Sequence, residues 1–200
     1  MGLKKLVSTN WLEKYAKHIP LSPNALTILS LLFALTGAYL IFTSNLALSI
    51  PFILLSFLLD GIDGIVARAK KQVTRFGAYL DGMADRLVEF LILSSMISLS
   101  WPDNTLALYT ILSLIAFGTF LTSFAKAYAD HRKAITNKKL LDRMGCIFER
   151  TERSILILAS LILYLYSPLY SLYLLALGAV LAFLSFLQRF IFVMNYSKRR

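Results

Sequence analysis

Apolar and polar positions divide the chain into six long apolar stretches joined by shorter polar ones. A run of about 20 apolar residues is long enough to cross a bilayer as a helix. The pattern predicts spans over Asn24–Phe42, Leu46–Arg68, Gly77–Ser100, Leu106–Ala127, Arg153–Tyr166 and Leu169–Asn195. Within each stretch the apolar residues run on without alternating, which predicts helices rather than the strands of a membrane barrel. The fifth stretch is short and needs tilt or local bilayer thinning to cross. Pro51 is read in the first turn of the second span, where a missing N–H costs little. The first residues follow another pattern. Leu3, Leu6, Val7, Trp11 and Tyr15 recur at helical spacing, with Lys4, Lys5, Lys14 and Lys17 between them. That predicts an amphipathic helix over residues 1–19 lying in the membrane interface. Pro20 and Pro23 end it, and Asn24 is placed to cap the first span. The fold class is therefore all-α and polytopic. One membrane domain covers residues 1–200, with the interfacial helix at 1–19 and a bundle of six transmembrane helices at 24–195.

Composition agrees with this pattern. The chain is 58% hydrophobic and only 16% charged, where soluble proteins average about a quarter charged. The net charge is +10, from 21 Lys and Arg against 11 Asp and Glu. In a soluble protein that excess would point to nucleic acid. Here the connectors Thr43–Asn45, Trp101–Thr105 and Tyr166–Tyr170 contain no Lys or Arg, so every basic residue can face one side. The positive-inside rule makes that side cytoplasmic, where basic residues meet anionic lipid, and six spans return both termini to it. The expectation is a multi-pass cell-membrane protein in contact with lipid and not with nucleic acid. Cys146 is the single cysteine, which excludes an intrachain disulfide, and nothing near it supports a catalytic role. The first apolar run begins after Pro23 and is long enough to span, which argues against a cleaved signal peptide.

Four aspartates break the apolar pattern. Asp60 and Asp63 stand three apart near the cytoplasmic end of the second span, and Asp81 and Asp85 stand four apart near the cytoplasmic start of the third. Both spacings put each pair on one helix face. The charged connector between the spans turns the chain, so the two pairs can meet near one membrane surface. An acid at a span centre costs about 2.5–3.5 kcal/mol on insertion scales, so a cation must compensate. Arg68 and Arg86 are close in sequence, and a divalent metal is the stronger reading. With oxygen ligands only, the set favours Mg²⁺, Mn²⁺ or Ca²⁺ over zinc. Gly61, Gly64, Gly77 and Gly82, with Ala67, Ala78 and Ala84, let helices approach closely and leave room for a phosphate and a flat base. The residues point to a metal-dependent phosphoryl-transfer site at a membrane surface.

The same residues spell D-x-x-D-G-x-x-A-R, eight residues, then G-x-x-x-D-x-x-x-D. They are Asp60, Asp63, Gly64, Ala67, Arg68, Gly77, Asp81 and Asp85. This resembles the signature of the CDP-alcohol phosphotransferase family, and Ser22–Thr27 (SPNALT), the six spans and the amphipathic N-terminus resemble it too. The resemblance implies an enzyme of phospholipid synthesis. A CDP-linked lipid binds, an acceptor hydroxyl attacks the lipid-side phosphorus, and CMP leaves. It implies two Mg²⁺ or Mn²⁺ ions on Asp60, Asp63 and Asp81, with Asp85 completing the metal site and acting as general base. It implies CDP binding by Asp60, Asp63, Gly64, Ala67, Arg68, Gly77 and Asp81. Homodimers are common in the family.

Arg153 and Arg189 open and interrupt apolar stretches, Lys126 ends the fourth span, and Arg150 stands one turn before Arg153. Converging beside Asp85, they would form a pocket for a phosphorylated alcohol, because arginine forks suit phosphate oxygens. Their places resemble the inositol-phosphate branch of the family, whose acceptor is 1L-myo-inositol 1-phosphate. The connector at 130–149 is longer and more basic than that branch leads one to expect. Glycerol 3-phosphate also needs cations, and an enzyme using it is the nearest rival. A divalent-cation transporter is a rival of another class. Against it, the acids gather near one surface and the first, fourth, fifth and sixth spans contain none.

Overall fold

The computed structural model describes residues 15–197, which are all helix and connector with no strand among them. Residues 1–14 of the predicted interfacial helix lie outside the described residues. The chain divides between Leu99 and Ser100 into two compact units.

In the N-terminal unit, α1 runs over Pro23–Phe42, α2 over Leu46–Ala69 and α3 over Arg75–Met96. The cap of α1 is Ser22, whose side chain accepts from the Ala25 N–H, and Pro23 takes the first helical position. Asn24, expected as the cap, therefore stands inside the first turn. Proline at the first helical position explains the shift: its fixed φ starts a helix and its missing N–H was an orphan there in any case. Pro51 likewise sits deeper than expected, inside α2 rather than in its first turn. The helix already begins at Leu46, so Pro51 withholds a donor from the carbonyl four residues earlier.

The buried residues of α2 are Leu46, Ser49, Ile53, Ser56, Asp63 and Val66, a seam at three-, four- and seven-residue spacing. Asp63 belongs to that seam. Gly37 of α1 allows close packing against it, since a Cβ there would stand 2.6 Å from Ile53 Cγ1. α1 packs along both α2 and α3, while α2 and α3 touch each other at few positions. The chain before α1 is tied to the end of α2. Ala16 packs with Leu26 and Val66, and Lys70 Nζ donates to the carbonyls of Ile19 and Leu21, the latter at 2.9 Å. The helix α3 is capped by Thr74, whose Oγ1 accepts from Gly77 N–H at 2.9 Å. It stops at Met96, short of Ser100, where i→i+3 bonds of Ile97, Ser98 and Leu99 tighten the chain into a turn.

In the C-terminal unit, α4 runs over Asn104–His131, with Leu114–Leu121 wound as a π-helix. A short α5, Lys138–Arg143, follows; then α6, Arg150–Tyr164, and α7, Pro168–Ser197. α7 packs along α6 and all of α4. The connector after α4 folds back on the end of α7: Ile135, Leu141 and Met144 form a small core with Ala129, against Phe192, Val193 and Tyr196. Buried serines join α6 to α7, with Ser160 and Ser171 hydroxyls 3.0 Å apart.

Four of the described helices are long and apolar enough to cross a membrane: α1, α2, α4, and α7 over Pro168–Tyr196. α3 coincides with the predicted third span but carries Arg75, Asp81, Asp85, Arg86 and Glu89. α6 has 15 residues, about 22 Å of helix against a hydrocarbon core of about 30 Å.

Candidate functional site: an acid triad beside a cavity

Asp60 and Asp63 project from α2 and Asp81 from α3, and one carboxylate oxygen from each lies within 4.8 Å of the others. Three carboxylates at that separation repel unless a cation joins them. Hard oxygen donors from two helices fit a divalent ion of the Mg²⁺ or Mn²⁺ kind. Asp63 is the most buried of the three, 4% exposed, and its Oδ2 accepts a 2.6 Å hydrogen bond from Thr27 Oγ1. Thr27 comes from α1, so α1, α2 and α3 meet at this group. Asp85 stands one turn beyond Asp81, outside the triad, with its Oδ2 3.3 Å from Arg86 Nη1. The same Arg86 nitrogen donates to the Gly82 carbonyl at 2.7 Å.

A cavity of about 270 Å³ opens beside the triad. Its walls include Asp63, Gly64, Ala67, Arg68, Gly77 and Asp81, six of the seven residues assigned to CDP by resemblance; Asp60 reaches the triad but not the cavity wall. Asn24, Thr27, Gln72, Val73 and Thr74 also line it, and the sequence reading assigns none of these to the site. The signal for Asn24 and Thr27 was the SPNALT stretch, which carried the resemblance without a ligand-binding role for either residue. Gly77 serves close approach as well as space. A Cβ there would stand 2.9 Å from Thr74 Oγ1 and 3.1 Å from Asn24 Oδ1. Around Gly61 nothing lies within 4 Å of such a carbon.

The basic residues read as acceptor ligands fall in the C-terminal unit. Arg153 is 7% exposed and its Nη1 donates to the Phe148 carbonyl at 3.2 Å. Arg189 donates through Nη1 to the Thr122 carbonyl and through Nη2 to Cys146 Sγ, the latter at 3.5 Å. The structure thus ties both arginines to one turn, residues 144–149. Arg150 lies in the first turn of α6, and Lys126 one turn after Thr122 on α4. Burial pushes the Cys146 thiol above its ordinary pKa, with the charges of Arg189 and Arg153 pulling the other way.

A model of the CDP-alcohol phosphatidyltransferase family matches residues 20–187. The chain belongs to that family. It is 31% identical over 182 residues to the archaetidylinositol phosphate synthase of Pyrococcus horikoshii, covering 89% of this chain and 88% of the other. It is 33% identical over 147 residues to the bifunctional IPC transferase and DIPP synthase of Aquifex aeolicus, covering 71% of this chain and only 33% of that longer one. The phosphatidylinositol phosphate synthase of Mycobacterium tuberculosis shares the fold. Its complex with manganese and citrate superposes with a TM-score of 0.76 at 24% identity, covering 94% of this chain and 89% of that one. Its structure with CDP-DAG bound gives a TM-score of 0.76 at 23% identity, covering 94% of each chain. As a family member the chain is a metal-dependent phospholipid-synthesis transferase acting on CDP-linked alcohols, which sets aside the transporter reading.

Proposed function

We propose that the protein transfers the phospholipid moiety of a CDP-linked lipid to inositol 1-phosphate, with release of CMP. The observation that carries the reaction is the acid triad beside a cavity lined by its Asp63 and Asp81 together with Gly64, Ala67, Arg68 and Gly77. The inositol-phosphate acceptor is supported by the relatives' names and by two buried or half-buried arginines tied to one turn. Asp60, Asp63 and Asp81 would hold Mg²⁺ or Mn²⁺, two ions with Asp85 contributing. Bound metal supplies charge neutralisation for the diphosphate and for the departing CMP. Gly64, Ala67 and Gly77 leave space for the nucleotide, and Arg68, also in the cavity wall, would contact it. Asp85 takes the proton of the acceptor hydroxyl as its oxygen bonds to the lipid-side phosphorus. The bond from that phosphorus to the bridging oxygen breaks, and CMP leaves with the electron pair. Arg153 and Arg189, with Lys126 and Arg150, hold the acceptor's phosphate.

In this reading α3 and α6 complete six spans in one membrane domain, the termini and site face the cytoplasm, the first residues lie in the interface, and the protein is a homodimer. The test is an acceptor panel: purified protein with CDP-lipid and Mg²⁺, given inositol 1-phosphate, free inositol, glycerol 3-phosphate or serine in turn, with CMP followed. Inositol 1-phosphate supports the fastest release; a preference for glycerol 3-phosphate would transfer the same chemistry to the rival acceptor.

A further inference from the structure

Two long cationic side chains do not stay converged by themselves, because each has several rotatable bonds. In the C-terminal unit a single backbone carbonyl joins them. Phe148 C=O accepts from Arg153 Nη1 at 3.2 Å and from the Cys146 thiol at 3.4 Å, and that sulfur accepts from Arg189 Nη2 at 3.5 Å. The carbonyl is itself fixed from α7. The Phe148 N–H donates at 2.9 Å to Ser185 Oγ, and Ser185 is fully buried. From α4, Gly118 makes the space that Arg153 fills: a Cβ there would stand 3.0 Å from Arg153 Cδ and 3.4 Å from its Nε. Gly118 lies in the π-wound stretch, and such windings often occur at functional sites. The Thr122 carbonyl that holds Arg189 is one turn further along α4. These bonds still leave Arg189 Nε buried with no hydrogen-bond partner, a donor suited to an anion.

We propose that Ser185 and Gly118 are positioning residues for the acceptor's phosphate. Ser185 anchors the Phe148 turn, the turn aims both guanidinium groups, and Gly118 admits Arg153 to its place. The arginines then lose rotamer freedom on folding rather than on binding, which favours tight capture of the acceptor. This rests on the reading of Arg153 and Arg189 as acceptor ligands, and it gives the connector at 144–149 a task in that site.

The experiment uses the full-length enzyme with CDP-lipid, Mg²⁺ and inositol 1-phosphate. It measures KM for each substrate and the rate at which a methanethiosulfonate reagent labels Cys146, the chain's one cysteine. Ser185→Ala and Gly118→Ala each raise the KM for inositol 1-phosphate about tenfold and leave that for CDP-lipid unchanged. Ser185→Ala also speeds the labelling of Cys146, since the turn is no longer pinned. If Ser185→Ala does not fold, Gly118→Ala decides alone. Arg153→Ala and Arg189→Ala serve as the reference for the acceptor reading. Should they raise the acceptor KM while Ser185→Ala and Gly118→Ala leave it within about twofold, the positioning role is overturned and the acceptor reading stands. Equal loss for both substrates in the Ser185 and Gly118 variants overturns it too, as damage to the fold. Arginine variants with an unchanged acceptor KM remove the acceptor reading itself, and the positioning proposal with it.

Discussion

A hydroxyl from α1 donates to Asp63 at 2.6 Å, and both residues are buried. Partners of metal ligands orient them, and their loss typically costs about 10–100-fold in metal affinity. Thr27→Val keeps the shape and removes the donor, so it lowers affinity for Mn²⁺ by about that factor, read by calorimetric titration; Thr27→Ser restores most of it. Asp85 stands outside the triad, and its substitution has another signature. Asp85→Asn abolishes CMP release while Mn²⁺ binding to Asp60, Asp63 and Asp81 largely survives; parallel loss of both would place Asp85 among the ligands alone. At Cys146, burial holds the thiol protonated beyond the range of an ordinary cysteine. Labelling is therefore slow at neutral pH and rises as the solution is made alkaline, with a midpoint above that of a free cysteine. The aspartates were legible as residues because acids in an apolar run demand a cation. Thr27 and Ser185 were not, since a hydroxyl in a membrane helix raises no such demand.

Helix–helix approach depends on which glycine is concerned. A methyl at Gly37 would press on Ile53 of α2, which is fully buried. Gly37→Ala therefore destabilises the unit by about 1–3 kcal/mol, seen as a lower melting temperature in detergent. Gly61 faces open space, and Gly61→Ala leaves the melting temperature unchanged or raises it, as helix propensity predicts. Element positions were largely legible, because long apolar runs between polar breaks leave few other solutions. The ends were less so. Ser22 and Thr74 took the caps through side-chain bonds to Ala25 and Gly77, and several residues in each stretch could have done so. The π-winding at Leu114–Leu121 has no sequence signal of its own, since an apolar run reads alike in either winding. The fold-back of the connector depends on contacts with α7, distant in sequence.

At the scale of the whole chain, the proposed topology puts the basic connectors on one membrane face. If six spans put that face in the cytoplasm, an impermeant thiol reagent labels Cys146 only after cells or sealed vesicles are opened. Labelling in sealed, right-side-out preparations would reverse the orientation. The reaction class was legible because motif and apolar pattern converge on the same residues, and the family match extends over 20–187. The acceptor was less legible: arginines that bind phosphate and arginines that snorkel to headgroups look alike in sequence. The most direct test is CMP release from CDP-lipid and inositol 1-phosphate as divalent metal is withdrawn by chelation and restored, in the wild type and in Asp63→Asn. Release should stop on chelation, return with Mg²⁺ or Mn²⁺, and in the variant need far more metal or fail altogether. Release that persists without metal, or at wild-type metal demand in Asp63→Asn, would mean that the acids of α2 and α3 do not hold the ion that drives the chemistry.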